Sequence, residues 1–312
     1  MKEIEMLAKL KDTREKIIEE VHRVIVGQDE IIEKILIGLF SGGHCLLIGV
    51  PGLAKTLMIR TLAMVLDLKF KRIQFTPDLM PSDITGIDVI EENPESRQRN
   101  LRFIPGPIFA NLVLADEINR APPKTQTALL EAMQEYQVTV GNKTYPLEKP
   151  FLVLATQNPI ELEGTYPLPE AQLDRFMMSI YLDYPCVEDE KKIAEFQMFD
   201  VMSELSPLLN AEGIIQFQHI IRNIPVSDFV INYAVNLVRN TRPNNGKCPE
   251  FIKEYVNWGA GPRATQYLIL GAKTKAALRG DVNVSVGDIK SIAESVLRHR
   301  IFTNFTADAD GI

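Results

Sequence analysis

Cys45-Leu46-Leu47-Ile48-Gly49-Val50-Pro51-Gly52-Leu53-Ala54-Lys55-Thr56 is the stretch on which the fold turns. It opens with four apolar residues and passes through a loop with two glycines into a helix-compatible run. A continuous apolar run this short suits a strand buried on both faces, as in a parallel sheet. Two more runs read the same way: Leu112-Val113-Leu114-Ala115 and Phe151-Leu152-Val153-Leu154. Helical stretches at 56–66 and 123–136 lie between them. Strand–helix alternation of this kind predicts a doubly wound α/β core with right-handed crossovers.

Outward from that core the texture changes. The residues at 4–21 carry an apolar stripe at helical spacing, which predicts an N-terminal helix. After Pro185-Cys186, amphipathic stretches at 188–202, 228–241, 263–278 and 288–300 replace buried-strand runs. Ser285-Val286-Gly287-Asp288 has the spacing of a capping box at the start of the last one. The expected division is therefore an α/β unit over 1–186 and a helical unit over 187–312. The polar, charge-dense segment 91–100 reads as an exposed hairpin tip.

Bulk properties narrow the class. The chain's 46% hydrophobic and 24% charged residues place it among soluble globular proteins, and 312 residues suffice for two packed units. A net charge of −7 opposes a nucleic-acid surface, which needs a basic face. Cys45, Cys186 and Cys248 are odd in number and far apart, so neither a disulfide framework nor a zinc site is expected. Lys2, Glu3, Glu5 and Lys9 rule out a signal peptide over the first ten residues, and no apolar run suits a bilayer span. The expectation is a cytoplasmic protein without membrane insertion.

The loop Gly49, Val50, Pro51, Gly52, Leu53, Ala54, Lys55 and Thr56 follows a strand and opens a helix, the context that gives a Walker A pattern meaning. Glycines let the backbone curl so that its N–H groups converge on a phosphate. The helix start adds partial positive charge. Lys55 is placed to reach the outer phosphates and the Thr56 hydroxyl to ligate Mg²⁺. The common pattern has Gly before the Lys; Ala54 is harmless there if that position is already helical.

Asp116 and Glu117 end the second buried run, where unpaired charge could not be buried. Strand tips are where open α/β folds bind ligands. Asp116 suits holding Mg²⁺ through its water shell, and Glu117 suits orienting water as general base. The third run ends Ala155-Thr156-Gln157-Asn158-Pro159. Asn158 either hydrogen-bonds the γ-phosphate and the attacking water or starts a turn. The nearest approach to a guanine-selecting segment, Asn142-Lys143-Thr144-Tyr145, lacks its acid, so ATP is expected. Arg263 opens a helix, where a cation opposes the dipole unless an anion lies nearby; it reads as a phosphate sensor or a solvated arginine. Arg175 is a candidate arginine finger, with Arg120 its rival.

These residues together resemble AAA+ ATPases, and finer signatures resemble the MoxR family. The signatures are Val26-Gly27-Gln28, the run from Gln74 to Asp83, Phe103-Ile104-Pro105-Gly106-Pro107, the run from Asp116 to Ala121, Ala155 to Pro159, and Leu168 to Phe176. The resemblance spans about 21–300; the family usually has Ser where Gly261 stands. It implies an αβα nucleotide core with a helical lid and, usually, a hexameric ring. It maps Asn158 to sensor 1, Arg263 to sensor 2 and Arg175 to a finger acting in trans. It sets Val26, Gly27 and Gln28 near adenine and includes Leu57 with the phosphate loop. It makes 84–105 a hairpin inserted in the second core helix and 138–147 a second hairpin. ATP/ADP and Mg²⁺ are the implied cofactors. The implied partners are further copies of the chain, a client protein and a von Willebrand A-domain protein. Three other readings stay open: a nucleic-acid-dependent motor, a magnesium-chelatase-like motor subunit, and an ATP-gated assembly module that hydrolyses weakly.

Overall fold

The computed structural model describes residues 2–92, 99–160, 164–195 and 204–312. In chain order the helices are α1 Lys2–His22, α2 Asp29–Ser41, α3 Lys55–Val65, α4 Pro81–Thr85, α5 Pro123–Glu135, α6 Glu170–Leu173, α7 Val187–Glu195, α8 Ala211–Asn223, α9 Asp228–Asn240, α10 Glu250–Tyr255, α11 Pro262–Leu278, α12 Val286–Leu297 and α13 Phe305–Asp310. The strands are β1 Cys45–Ile48, β2 Phe70–Gln74, β3 Gly86–Glu92, β4 Arg99–Pro105, β5 Leu112–Asp116, β6 Gln137–Val140, β7 Lys143–Pro146, β8 Leu152–Gln157, β9 Met178–Tyr181, β10 Val256–Trp258 and β11 Phe302–Thr303.

Five strands form one parallel sheet in the order β2-β5-β8-β1-β9. The three apolar runs are its central strands. Their side chains alternate between two cores, as a pleated strand requires. Leu112, Leu114, Leu152, Leu154, Cys45 and Leu47 face α2, α3 and the helical bundle. Val113, Ala115, Val153, Ala155 and Leu46 face α5, through Leu129, Leu130 and Met133. The expected α/β core and its helical sequel are thus both present.

Among the described residues beyond α7, the regular structure is helical except for the antiparallel pair β10–β11. α7 covers the first part of the expected helix at 188–202; residues 196–203 lie outside the described residues. α11 packs on α12, α9, α2 and α1, so the apolar core on this face runs across the expected boundary near 186. The capping box is formed: Ser285 Oγ accepts from Asp288 N–H at 3.2 Å and Asp288 Oδ2 accepts from Ser285 N–H at 2.9 Å.

Two hairpins project from the sheet's α5 side. β3 and β4 pair from Gly86↔Pro105 to Glu92↔Arg99; the tip at 93–98 lies outside the described residues. The hairpin closes at its base because a Cβ on Gly86 would stand 2.3 Å from the Ile104 oxygen. A second core helix is reduced to α4, and Gly106-Pro107 carries the chain toward β5 with no helix after the hairpin. β6 and β7 form the second hairpin, and its Tyr145 ring stacks on Phe103 of the first at 4.0 Å.

Candidate nucleotide site

The phosphate loop leaves β1 at Gly49 and enters α3 at Lys55. Gly52 has φ 88° and open space where a Cβ would be, so backbone amides there are accessible to a ligand. Ala54 has φ 54° and is left-handed, which corrects the expectation that a helical setting makes it harmless. The conformation costs an alanine about 1–2 kcal/mol. Lys55 Nζ donates to the Gly49 and Val50 carbonyls at 2.5 and 3.1 Å. Burial pushes the Lys55 pKa down, and the Asp116 and Glu117 carboxylates push it back up. The surrounding cleft holds about 380 Å³, with Pro51 through Leu57 on one wall and Arg72, Asp116, Glu117, Thr156 and Asn158 on the other.

Sheet register builds the second wall. β5 lies between β2 and β8, with Gln74 opposite Asp116 and Ala115 opposite Ala155. The tips therefore end together. Thr156 Oγ1 donates to Asp116 Oδ1 at 2.6 Å and accepts from the Glu117 N–H at 2.8 Å. Arg72 donates to Asp116 Oδ2 through Nε at 3.0 Å and through a terminal nitrogen at 2.6 Å. Glu117 stands at φ 57°, a strained conformation for a side-chain-bearing residue. Its Oε2 accepts from Gln74 Nε2 at 3.0 Å and pairs with Arg120 Nε at 3.0 Å. Asn158 fits both of its readings: it lines the cleft, and its Oδ1 accepts from the Ile160 N–H of the following turn at 3.2 Å.

Gln28 links a third segment to the loop. It sits at φ 60° and donates from Nε2 to the Leu53 carbonyl at 3.4 Å. Its Oε1 is buried and has no protein partner among the described residues. An orphaned amide oxygen beside the phosphate loop is what an adenine amino group would satisfy. Gly27 runs so close to α7 that a Cβ would stand 2.5 Å from Asp189 Oδ2. Gln28 is thereby held beside Leu53 and Gly27 against α7. The arrangement fits a nucleotide: a base site at 26–28, a phosphate cradle at 49–56, and the Thr56 hydroxyl and Asp116 carboxylate in one cleft for a divalent ion.

Arg175 and Arg263 lie elsewhere. They share a cleft of about 200 Å³ with Gly42, His44, Tyr136 and Tyr267. Gly42 and His44 precede β1, whereas Gly49 follows it. The two arginines are thus at the opposite end of the parallel sheet from the phosphate loop. Four strand residues separate those ends by ~13 Å, more than an arginine side chain reaches. The anion near the start of α11 is internal: Asp174 Oδ2 pairs with Arg263 at 3.0 Å. Asp174 Oδ1 meanwhile accepts from the buried Arg300 Nε at 2.7 Å. Residue chemistry alone had not given roles to Arg72, Gln74 or Thr156. Gln74 and Thr156 stood only within the resembling runs. The signal for Arg72 was its position two residues before Gln74 on a strand that pairs with β5.

A parallel sheet with a phosphate loop after β1 and paired carboxylates at the tip of β5 defines a P-loop fold of the AAA+ type. Comparison with known proteins agrees. Residues 44–178 match the ATPase family associated with various cellular activities (AAA), and residues 250–312 match the AAA lid domain. Chaperone MoxR1 of Mycobacterium tuberculosis is 45% identical over 96% of this chain and 78% of its own length. Protein MoxR of Methylorubrum extorquens is 29% identical over 95% and 90%, respectively. A crystal structure from Cytophaga hutchinsonii superposes with a TM-score of 0.90 at 44% identity, covering 99% of this chain and 92% of that one. The chain belongs to the MoxR family of AAA+ ATPases. Among the described residues, no helix is long and apolar enough to cross a membrane.

Proposed function

We propose that this chain hydrolyses ATP to ADP and phosphate in the cleft between the phosphate loop and the β5 tip. It does so as a ring of copies that remodels or assembles client proteins. The observation that carries the reading is Glu117, held in a strained conformation across the cleft from Lys55 by a hydrogen bond that its carboxylate accepts from Gln74 and one that its N–H donates to Thr156. Strain at a carboxylate that faces a phosphate cradle is the mark of a positioned catalytic group. Glu117 orients water and accepts its proton as the water attacks the γ-phosphorus; Asn158 hydrogen-bonds the same water and phosphate. Lys55 neutralises the outer phosphates. Bound Mg²⁺, held by Thr56 and through water by Asp116, would supply charge neutralisation on the β- and γ-oxygens.

Ring assembly is supported by the placement of the arginines. Arg175 and Arg263 cannot reach the cleft of their own chain, so they serve as phosphate-contacting groups only in a neighbour's cleft. A head-to-tail contact between copies generates that arrangement and closes into a ring when the rotation permits. The client role is supported by the Mycobacterium tuberculosis relative, which is named a chaperone. The experiment is phosphate release with Glu117→Gln. Binding of a labelled adenine nucleotide should persist while turnover falls ~100-fold or more. Turnover at the parent rate would remove Glu117 from the chemistry.

A further inference from the structure

Arg72 stands on β2, the edge strand of the parallel sheet, opposite Leu114 of β5 and two residues before Gln74. Residues two apart share a face of a strand, so Arg72, Gln74 and Asp116, which lies opposite Gln74, are on one face. About half of the Arg72 side chain is exposed, whereas Asp116 is mostly buried, and both line the nucleotide cleft. Three N–H groups of Arg72 are committed there. Nε and Nη2 donate to Asp116 Oδ2 at 3.0 and 2.6 Å, and Nη2 also donates to Gln74 Oε1 at 2.5 Å.

The bond to Gln74 decides what that amide can do. A carboxamide presents an acceptor on one side and donors on the other. With Oε1 held by a guanidinium, Nε2 faces Glu117 and donates to its Oε2 at 3.0 Å. The reversed amide would set oxygen against carboxylate and NH2 against guanidinium, two repulsions in place of two hydrogen bonds. Arg72 therefore selects the orientation of Gln74, and Asp116 fixes the fork of Arg72. Thr156 joins the same two acids through the Glu117 backbone. The path through Arg72 and Gln74 joins them through the Glu117 carboxylate. Arg120 also pairs with Oε2, at 3.0 Å, and is the competing support for that carboxylate.

We propose that Arg72 is a positioning residue for hydrolysis: anchored on Asp116, it orients the Gln74 amide and, through it, the Glu117 carboxylate. This rests on the reading of Glu117 as the base, and it adds the group that aims that base. Acting through Gln74, Arg72 affects kcat and not nucleotide binding. Its removal also frees Asp116 Oδ2 of a cation that competes with a divalent ion, so Mg²⁺ affinity should not fall.

The test compares the full chain with Arg72→Ala, Arg72→Lys, Gln74→Ala, the Arg72→Ala/Gln74→Ala double variant and Glu117→Gln. Steady-state phosphate release is measured beside binding of labelled ATP over a range of Mg²⁺ concentrations. Arg72→Ala should lower kcat about tenfold while the Kd for ATP and the half-saturating Mg²⁺ concentration stay within about threefold. Gln74→Ala should lose a similar amount. The double variant should fall no more than about threefold below either single, whereas independent action would give about a hundredfold. Arg72→Lys keeps the charge without the fork and should stay within about threefold of Arg72→Ala. Parental kcat in Arg72→Ala or Arg72→Lys would overturn the proposal. So would multiplied losses in the double variant, or a loss of ATP or Mg²⁺ affinity that matches the loss of kcat. Parental turnover in Glu117→Gln would remove the base itself; an inactive Glu117→Gln beside a fully active Arg72→Ala would remove Arg72 alone.

Discussion

Thr156→Val isolates the link between the two strand tips. The replacement keeps the buried volume and removes one hydroxyl, which now joins the Glu117 N–H at 2.8 Å to Asp116 Oδ1 at 2.6 Å. Two bonds are lost. The neutral one contributes about 1 kcal/mol and the charge-assisted one about 1.5–3 kcal/mol, so the expected loss of stability is roughly 3 kcal/mol. Glu117 also loses the contact that over-determines its left-handed backbone. With φ free to relax, its carboxylate leaves the orientation fixed by Gln74, and turnover should fall by about 10–100-fold. Nucleotide affinity should change far less, because the phosphate loop lies on the other wall. The assay pairs urea unfolding with steady-state phosphate release and titration of a labelled nucleotide. A variant with the parental urea midpoint and parental kcat would refute the idea that the hydroxyl holds the two acids in place.

Ala54→Gly relieves about 1–2 kcal/mol of left-handed strain and returns about 0.4–1 kcal/mol through the freer unfolded chain. A slightly higher melting temperature is expected; a lower one would contradict the strained conformation. Asp174→Asn leaves the guanidinium of Arg300, 97% buried by its 3% exposure, without a carboxylate. The expected cost is about 2–3 kcal/mol, below the 3–5 kcal/mol of a fully buried pair because the Asp174 side chain is partly exposed; an unchanged urea midpoint would argue against it. His44 accepts from the Val153 N–H and donates to the Met133 carbonyl, and burial lowers its pKa to about 4. Its folded pKa lies below its unfolded value near 6.5, so its neutral form stabilises the fold above that pH, and the contribution is lost as pH falls toward 4. Between pH 7 and 5 the parent should lose about 2 kcal/mol more stability than His44→Gln. Equal losses would show that His44 does not stay neutral in the fold.

The central strands were legible because parallel strands buried on both faces can only be apolar, and β1, β5 and β8 are. β2 was not, since Lys71 and Arg72 face solvent at the sheet edge and break the run. β9 was hidden for another reason: its four residues merge with buried Phe176 and Met177, without a turn signal between. The loop, the two acids and Asn158 were readable from position at strand tips. Ala54 was not readable as left-handed, because alanine favours helix and only the fold forces it out. The address of Arg263 was also hidden. A cation at a helix start implies an anion, and sequence cannot distinguish a phosphate from Asp174, 89 residues away in the chain.

The most direct measurement mixes two chains that are each inactive. Glu117→Gln lacks the base but keeps Arg175 and Arg263; Arg175→Ala keeps the base and lacks the finger. If each cleft is completed by its neighbour, a random equal mixture contains intact junctions at about one site in four, and phosphate release should recover to roughly a quarter of the parental rate. If the arginine served its own chain, no mixture could restore a complete cleft, and turnover would stay at the level of the two inactive proteins.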